Sequence, residues 1–319
     1  MLSRAADNLY WMSRYMERAE NMARFLDVGY RMSLLPAGGD PQRTQWEPAL
    51  IIAGCDESFA ARRIEINARN VVEFLALELA NPSSIAACLH QARENARAMR
   101  TQVTTEMWES LNSTWLEIRG LDYRRLEEMG LRAFFDWVKE RSHLFRGVAY
   151  GTMQRDTAFK FVRLGTFIER SDATARLLDV KYHILLPTPQ DVGGAIDYYQ
   201  WSALLRSVSA FQIYRRIYRD VITPARIAEL LILRPDMPRS LIACFHEVTE
   251  ILVGLREEFQ RDYQCTRIAL ETQSRLRYGR IEDIFIQGLH EYLTEFIDRI
   301  AALSQAISRD FMLPAEAAP

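Results

Sequence analysis

No uninterrupted apolar run in the 319 residues reaches the roughly 18–20 that a membrane-spanning helix requires. The first residues also lack a basic segment, an apolar core and a small-residue cleavage site, because Arg4, Asp7 and Arg14 interrupt them. The expectation is a cytoplasmic protein with no membrane segment. Cysteine is scarce: Cys55, Cys88, Cys244 and Cys265 show no CxxC spacing, which points to reduced, buried thiols rather than a disulfide framework or a zinc site. Charge of one sign is missing too. With 40 Lys+Arg against 42 Asp+Glu, the chain lacks the basic excess that nucleic acid or an anionic membrane would attract. The locally dense Arg62-Arg63 and Arg215-Arg216 with Arg219 read as solvated helix faces. There is no Gly-rich phosphate loop, GxSxG elbow or HExxH, so those motif-borne chemistries have no support. Sustained period-two alternation is absent as well, which leaves an all-α chain.

What is present is a stretch that occurs twice. Leu9 to Tyr30 contains MERAENMARFLDVGY, and Phe161 to Tyr182 contains IERSDATARLLDVKY. A shift of about 152 positions lays Glu17-Arg18 on Glu169-Arg170, Glu20 on Asp172, Arg24 on Arg176 and Leu26-Asp27-Val28 on Leu178-Asp179-Val180. Leu9, Met12, Met16, Ala19, Ala23, Leu26 and Tyr30 alternate steps of three and four, as do Phe161, Leu164, Ile168, Ser171, Ala175, Leu178 and Tyr182. That period predicts a long helix for each copy. Further apolar rows cover most of the first helix's circumference, so its remaining stripe, Glu17, Glu20, Arg24 and Asp27, is expected to be buried with it.

The correspondence extends beyond these helices. Loops rich in Pro and Gly follow both copies, at 36–41 and 187–194, and Gln45-Trp46 and Gln200-Trp201 then occur in the opening of a further helical pattern. Val71 to Arg100 aligns with Ile227 to Arg256, each a short helix, a Pro-containing turn and a longer helix for which Ser83 or Ser84, and Ser240, are candidate N-caps. Gly130-Leu131 can be laid on Gly288-Leu289. The expected architecture is an internally duplicated multi-helix bundle of two repeats, 1–152 and 153–319, forming one compact unit. Its two long Glu-Arg helices would meet near a pseudo-twofold axis, with the small residues Ala19, Ala23, Ser171 and Ala175 permitting close approach.

The repeated charges have four readings. Glu20 to Arg24 and Asp172 to Arg176 are acid-first i,i+4 pairs, consistent with an internal ion-pair network. A di-iron centre needs Glu-x-x-His, and here the position three after each Glu is Glu20 or Asp172; an all-oxygen Mg²⁺ or Mn²⁺ site is the remaining metal reading, but Arg18 and Arg24 would repel the cation, so no metal is expected. Acid/base catalysis by Glu17 and Glu169 lacks a nucleophile, and the duplication would give both carboxylates similar neighbours. Anion recognition is the fourth: Arg18, Arg24, Arg170 and Arg176 could hold a carboxylate or phosphate in bidentate fashion, with Glu20 and Asp172 orienting them. His90 and His246 stand two residues past Cys88 and Cys244, and so on different helix faces. Trp108 in EMWESLN reads as a core anchor, and His143, His183 and His290 form no constellation in sequence.

Taken together, NLYWMSRYMERAEN, TMQRDTAFKFVRLGTFIERSD followed by ARLLDVKYHILLP, EMWESLN and MPRSLIACF resemble the bacterial alpha-E family over essentially the whole chain. The one departure is at Phe159 and its neighbours, where that family leads one to expect Trp. The resemblance implies a helical fold and places the family's Glu-Arg motif on Glu17-Arg18 and Glu169-Arg170. It also implies association with a circularly permuted ATP-grasp protein, and with a transglutaminase-like protein as a further partner. ATP and Mg²⁺ would then belong to the partner and this chain would carry no cofactor. The implied role is an accessory subunit in peptide or amide synthesis or modification, binding the ligase and an anionic substrate. The alternatives are a stand-alone enzyme of amide chemistry using Glu17 and Glu169, and an inert scaffold.

Overall fold

A computed structural model describes residues 3–34, 41–183 and 194–312. The loops expected at 36–40 and 187–193, and the side chains of Val180, Tyr182 and His183, lie outside the described residues. Among the described residues there are sixteen α-helices and no strand, and no helix is long and apolar enough to cross a membrane. In chain order the helices are α1 (Ser3–Ser33), α2 (Pro41–Ile52), α3 (Asp56–Ala60), α4 (Ala68–Val72), α5 (Ile85–Ala98), α6 (Thr105–Ile118), α7 (Tyr123–Met129) and α8 (Leu131–Thr152). They continue as α9 (Thr157–His183), α10 (Ala195–Ser207), α11 (Phe211–Tyr218), α12 (Pro224–Ile232), α13 (Leu241–Phe259), α14 (Gln264–Tyr278), α15 (Ile281–Gln287) and α16 (Leu289–Ile307). Single π-helical turns, Glu73–Leu77 and Ser308–Met312, extend α4 and α16. The two helices predicted from the repeated stretch are α1 and α9, the longest among the described residues.

The chain folds into two compact units. One comprises Met1–Arg14, Gln154–His183 and Ala210–Pro319; the other comprises Tyr15–Met153 and Ile184–Ser209. In the first unit α13 packs against α9 on one side and α14 on another, and α16 packs against both α9 and α14. Leu164 and Ile168 of α9, Phe245 and Val248 of α13, and Phe296 and Ile300 of α16 are all buried, and the rings of Phe245 and Phe296 meet edge-on at 5.2 Å. This is the apolar stripe of each amphipathic helix turned inward. The start of α1 belongs to the same unit and lies against α9 at Gly165, where a Cβ would collide with the Tyr10 carbonyl and Ser13 Oγ. Only a glycine admits that approach.

In the second unit α6 packs against α5 and α8, over a core that includes Phe134, Phe135, Val138 and Phe145. Trp46 and Trp201 are both buried in this unit, one inside α2 and the other inside α10. Trp108 is not the core anchor its ring suggested: it is half-buried, with the guanidinium groups of Arg93 and Arg100 at 5.3 and 4.4 Å from its ring. A large ring flanked by polar residues can be covered by cations as well as by apolar side chains. Arg62, Arg63, Arg215, Arg216 and Arg219 are exposed, and all four cysteines are buried free thiols.

Positions matched in sequence take the same local geometry. Ser84 caps α5 and Ser240 caps α13, each accepting from the amide three residues on at 3.1 Å. Each hydroxyl also donates at 2.6 Å to the carbonyl six residues back, of Glu78 and of Arg234. One side chain thereby supplies an orphan amide of the helix start and closes the preceding turn. Gly130 and Gly288 enter α8 and α16 at φ of 88° and 102°, a conformation that residues with a side chain rarely adopt.

Candidate functional site

The predicted stripe of α1 is buried: Glu17 is 1% exposed, Glu20 0%, Arg24 4% and Asp27 2%. Burying such charges costs several kcal/mol each unless they are paired and hydrogen-bonded. Here they are paired within the second unit. Oε1 of Glu20 accepts from Nε and Nη2 of Arg24 at 3.0 and 2.7 Å, and Oε2 accepts from Nη1 of Arg146. The same Arg146 nitrogen lies 2.7 Å from Oε2 of Glu17 and 2.8 Å from Oγ of Ser142. Arg24 turns its remaining nitrogen to the Ser207 carbonyl and to Ser209 Oγ. Asp27 takes Nε of Arg31 at 3.2 Å, with Lys139 Nζ at 3.9 Å. His143 places Nε2 at 3.5 Å from Oε1 of Glu20. Arg18 extends over the Tyr15 ring at 5.7 Å.

The second Glu-Arg pair lies in the first unit and has different partners. Glu169, 5% exposed, accepts from Nε of Arg14 at 2.8 Å. The Arg14 guanidinium also reaches the Tyr10 hydroxyl at 3.3 Å and lies 4.7 Å from the Trp11 ring. Asp172 and Arg176 form the expected i,i+4 pair at 2.8 Å, although both are partly exposed. Asp179 meets Nδ1 of His290 at 2.7 Å. Arg170 lies 5.3 Å from the Phe167 ring and lines an open cleft of about 750 Å³.

The two motif carboxylates take cations from positions that the repeat does not equate, Arg146 of α8 for Glu17 and Arg14 of α1 for Glu169. The residue of α16 that lies as far past Gly288 as Arg146 lies past Gly130 is Ser304, which carries no charge. Glu169 draws its cation from α1 instead. Arg14, Arg146, Lys139 and His143 were missed in the sequence. Lys139, Ser142, His143 and Arg146 fall on one side of α8 by helical spacing, so a polar stripe opposite the carboxylates was legible in principle. Arg14 offered no such signal.

An arginine holds its proton throughout the working range, so Arg24 and Arg146 supply the cluster with fixed positive charge and hydrogen-bond donors. Among the described residues no group of three or more His, Cys, Asp or Glu is arranged to hold a metal ion. Two of the thiols are held in the protonated form: burial raises Cys55, and burial with the Asp310 carboxylate beside it raises Cys265.

Comparison with known proteins bears on this geometry. Residues 1–312 match the family model Alpha-E, described as a predicted alpha-helical domain with a conserved ER motif. Uncharacterized proteins of Mycobacterium bovis and of two strains of Mycobacterium tuberculosis are each 24% identical to the chain over 322 aligned residues. The match covers 94% of the chain and 35% of each relative, so the chain spans about a third of the length of the curated relatives it matches. No solved structure matches it.

Proposed function

The chain belongs to the alpha-E family, and from that premise we propose that it is an accessory helical subunit that works in the cytoplasm beside an ATP-grasp ligase. In this reading it serves the synthesis or modification of a peptide or amide-linked product, and ATP and Mg²⁺ are bound by the ligase. The family's ER motif falls on Glu17-Arg18 and Glu169-Arg170. The observation that carries the non-catalytic part is the pairing of the motif carboxylates: Glu17 with Arg146, and Glu169 with Arg14. A pair of this kind fixes helices against one another and supplies no base or nucleophile. The occurrence of the matched region as about a third of longer relatives supports a module that acts together with other domains. The matched caps at Ser84 and Ser240, and the matched glycines at Gly130 and Gly288, support two copies of one helical unit, 1–152 and 153–319.

The test is recovery of bound proteins on the tagged full chain, beside a folded Glu17→Gln/Glu169→Gln variant, with identification by mass spectrometry. An ATP-grasp protein should be recovered, and its ATP turnover should change when the chain is added. The purified chain alone should turn over nothing. Amide formation or cleavage by the chain alone, abolished in the variant, would establish the enzyme reading instead. Failure to recover any ligase would remove the accessory one.

A further inference from the structure

The cleft beside Arg170 is built entirely within the first unit, by α9, the turn between α12 and α13, α13 itself and α14. Its volume of about 750 Å³ lies within the roughly 300–1,000 Å³ of small-molecule sites. Leu233, Pro235, Pro238 and Ile242 give it an apolar wall. Its polar groups come from three helices: Arg170 from α9, His246 and Glu247 from α13, and Gln273 and Arg277 from α14. Glu247 is the only carboxylate in the lining, and it is engaged by Arg163. Among the described residues no carboxylate pairs with the exposed Arg277. Gln273 Nε2 lies 3.3 Å from Nδ1 of His246. The Gln273 amide and the His246 ring thereby give the cleft further hydrogen-bonding groups.

We infer that this cleft binds an organic carboxylate attached to an apolar group, of the kind presented by the free C-terminus of a short peptide ending in an aliphatic residue. Arg277 holds the carboxylate, Arg170 adds positive charge to the same cleft, His246 and Gln273 meet the adjoining amide, and Leu233, Pro238 and Ile242 receive the aliphatic side chain. A planar guanidinium matches a carboxylate through two parallel hydrogen bonds, and the apolar wall distinguishes such a ligand from a bare inorganic anion. The inference rests on the accessory reading only in taking Arg170 as a contact for an anionic substrate.

The probe is N-acetyl-Ala-Leu, titrated calorimetrically into the full chain beside its C-terminal carboxamide and inorganic phosphate. The acid should bind, the carboxamide should bind at least about tenfold more weakly, and phosphate at equal concentration should not displace the acid. Arg277→Ala, at an exposed position, should weaken the acid by about tenfold with its circular dichroism unchanged. Equal binding of acid and carboxamide would reduce the cleft to an apolar groove and overturn the assignment. Displacement by phosphate, absence of binding, or full affinity in a folded Arg277→Ala variant would overturn it too. None of those results touches the accessory reading, which stands or falls on recovery of the ligase.

Discussion

Arg146 is the position at which the buried cluster of α1 is most open to experiment. Its guanidinium serves both Glu17 and Glu20, which are almost wholly buried, while its own side chain is 25% exposed. Replacing it with Met keeps much of the volume and leaves two carboxylates without their shared cation. Removing one partner of a buried pair costs about 3–5 kcal/mol. Glu20 retains Arg24, and water can enter where Arg146 reaches the surface, so a loss near the lower end, about 3 kcal/mol, is expected. At roughly 2–4 °C per kcal/mol this lowers the melting temperature of the unit by about 6–12 °C. The informative measurement is the double-mutant cycle with Glu17→Gln, followed by urea denaturation. The double variant removes a charge of each sign, and should be more stable than the sum of the single losses predicts by about 1.5 kcal/mol or more. Additivity within about 0.5 kcal/mol would refute the view that Glu17 and Arg146 form one coupled structural unit. A double variant that keeps its stability but no longer recovers the ligase would instead assign the charges to partner binding.

Gly165→Ala should destabilise the protein by about 2 kcal/mol in thermal or urea unfolding despite the better helix propensity of alanine, because its Cβ meets the backbone of α1 at Tyr10. A stability gain would show that the helices separate readily there. Ser84→Ala and Ser240→Ala should each cost about 1–2 kcal/mol by chemical denaturation, and by similar amounts, since both hydroxyls make the same two hydrogen bonds; a loss at only one of them would break the equivalence. Burial, and then the Glu295 carboxylate, push the Tyr292 phenol up to about 12. Its contribution to stability is complete below the unfolded value near 10 and disappears as pH rises through about 12. Spectrophotometric titration at alkaline pH should show a step near 12 that Tyr292→Phe removes, and loss of a step near 10 instead would contradict the burial.

Much of the fold was legible because helical period and caps are local properties. The three-and-four spacing of Leu9 through Leu26 and of Phe161 through Leu178 identified α1 and α9. A serine just after a Pro-containing turn identified the starts of α5 and α13. The burial of Glu17, Glu20, Arg24 and Asp27 followed from apolar residues on their flanks. Trp108 was misread because the cations over its ring, Arg93 and Arg100, lie on another segment whose approach no local pattern records.

Residue type and spacing alone were enough to establish an all-α chain, the buried stripe on α1 and the matched caps, since each depends on neighbours within one or two turns. Which cation meets which carboxylate depended on tertiary structure. Glu17 and Arg146 are far apart in sequence, as are Arg14 and Glu169, and only packing fixes such long-range partners. The same holds for the cleft: Arg170, His246 and Arg277 lie on three helices, and they line one cavity because α13 packs against both α9 and α14. A repeat in sequence therefore specified two similar helices, while packing decided which cations meet their carboxylates, Arg146 for one and Arg14 for the other.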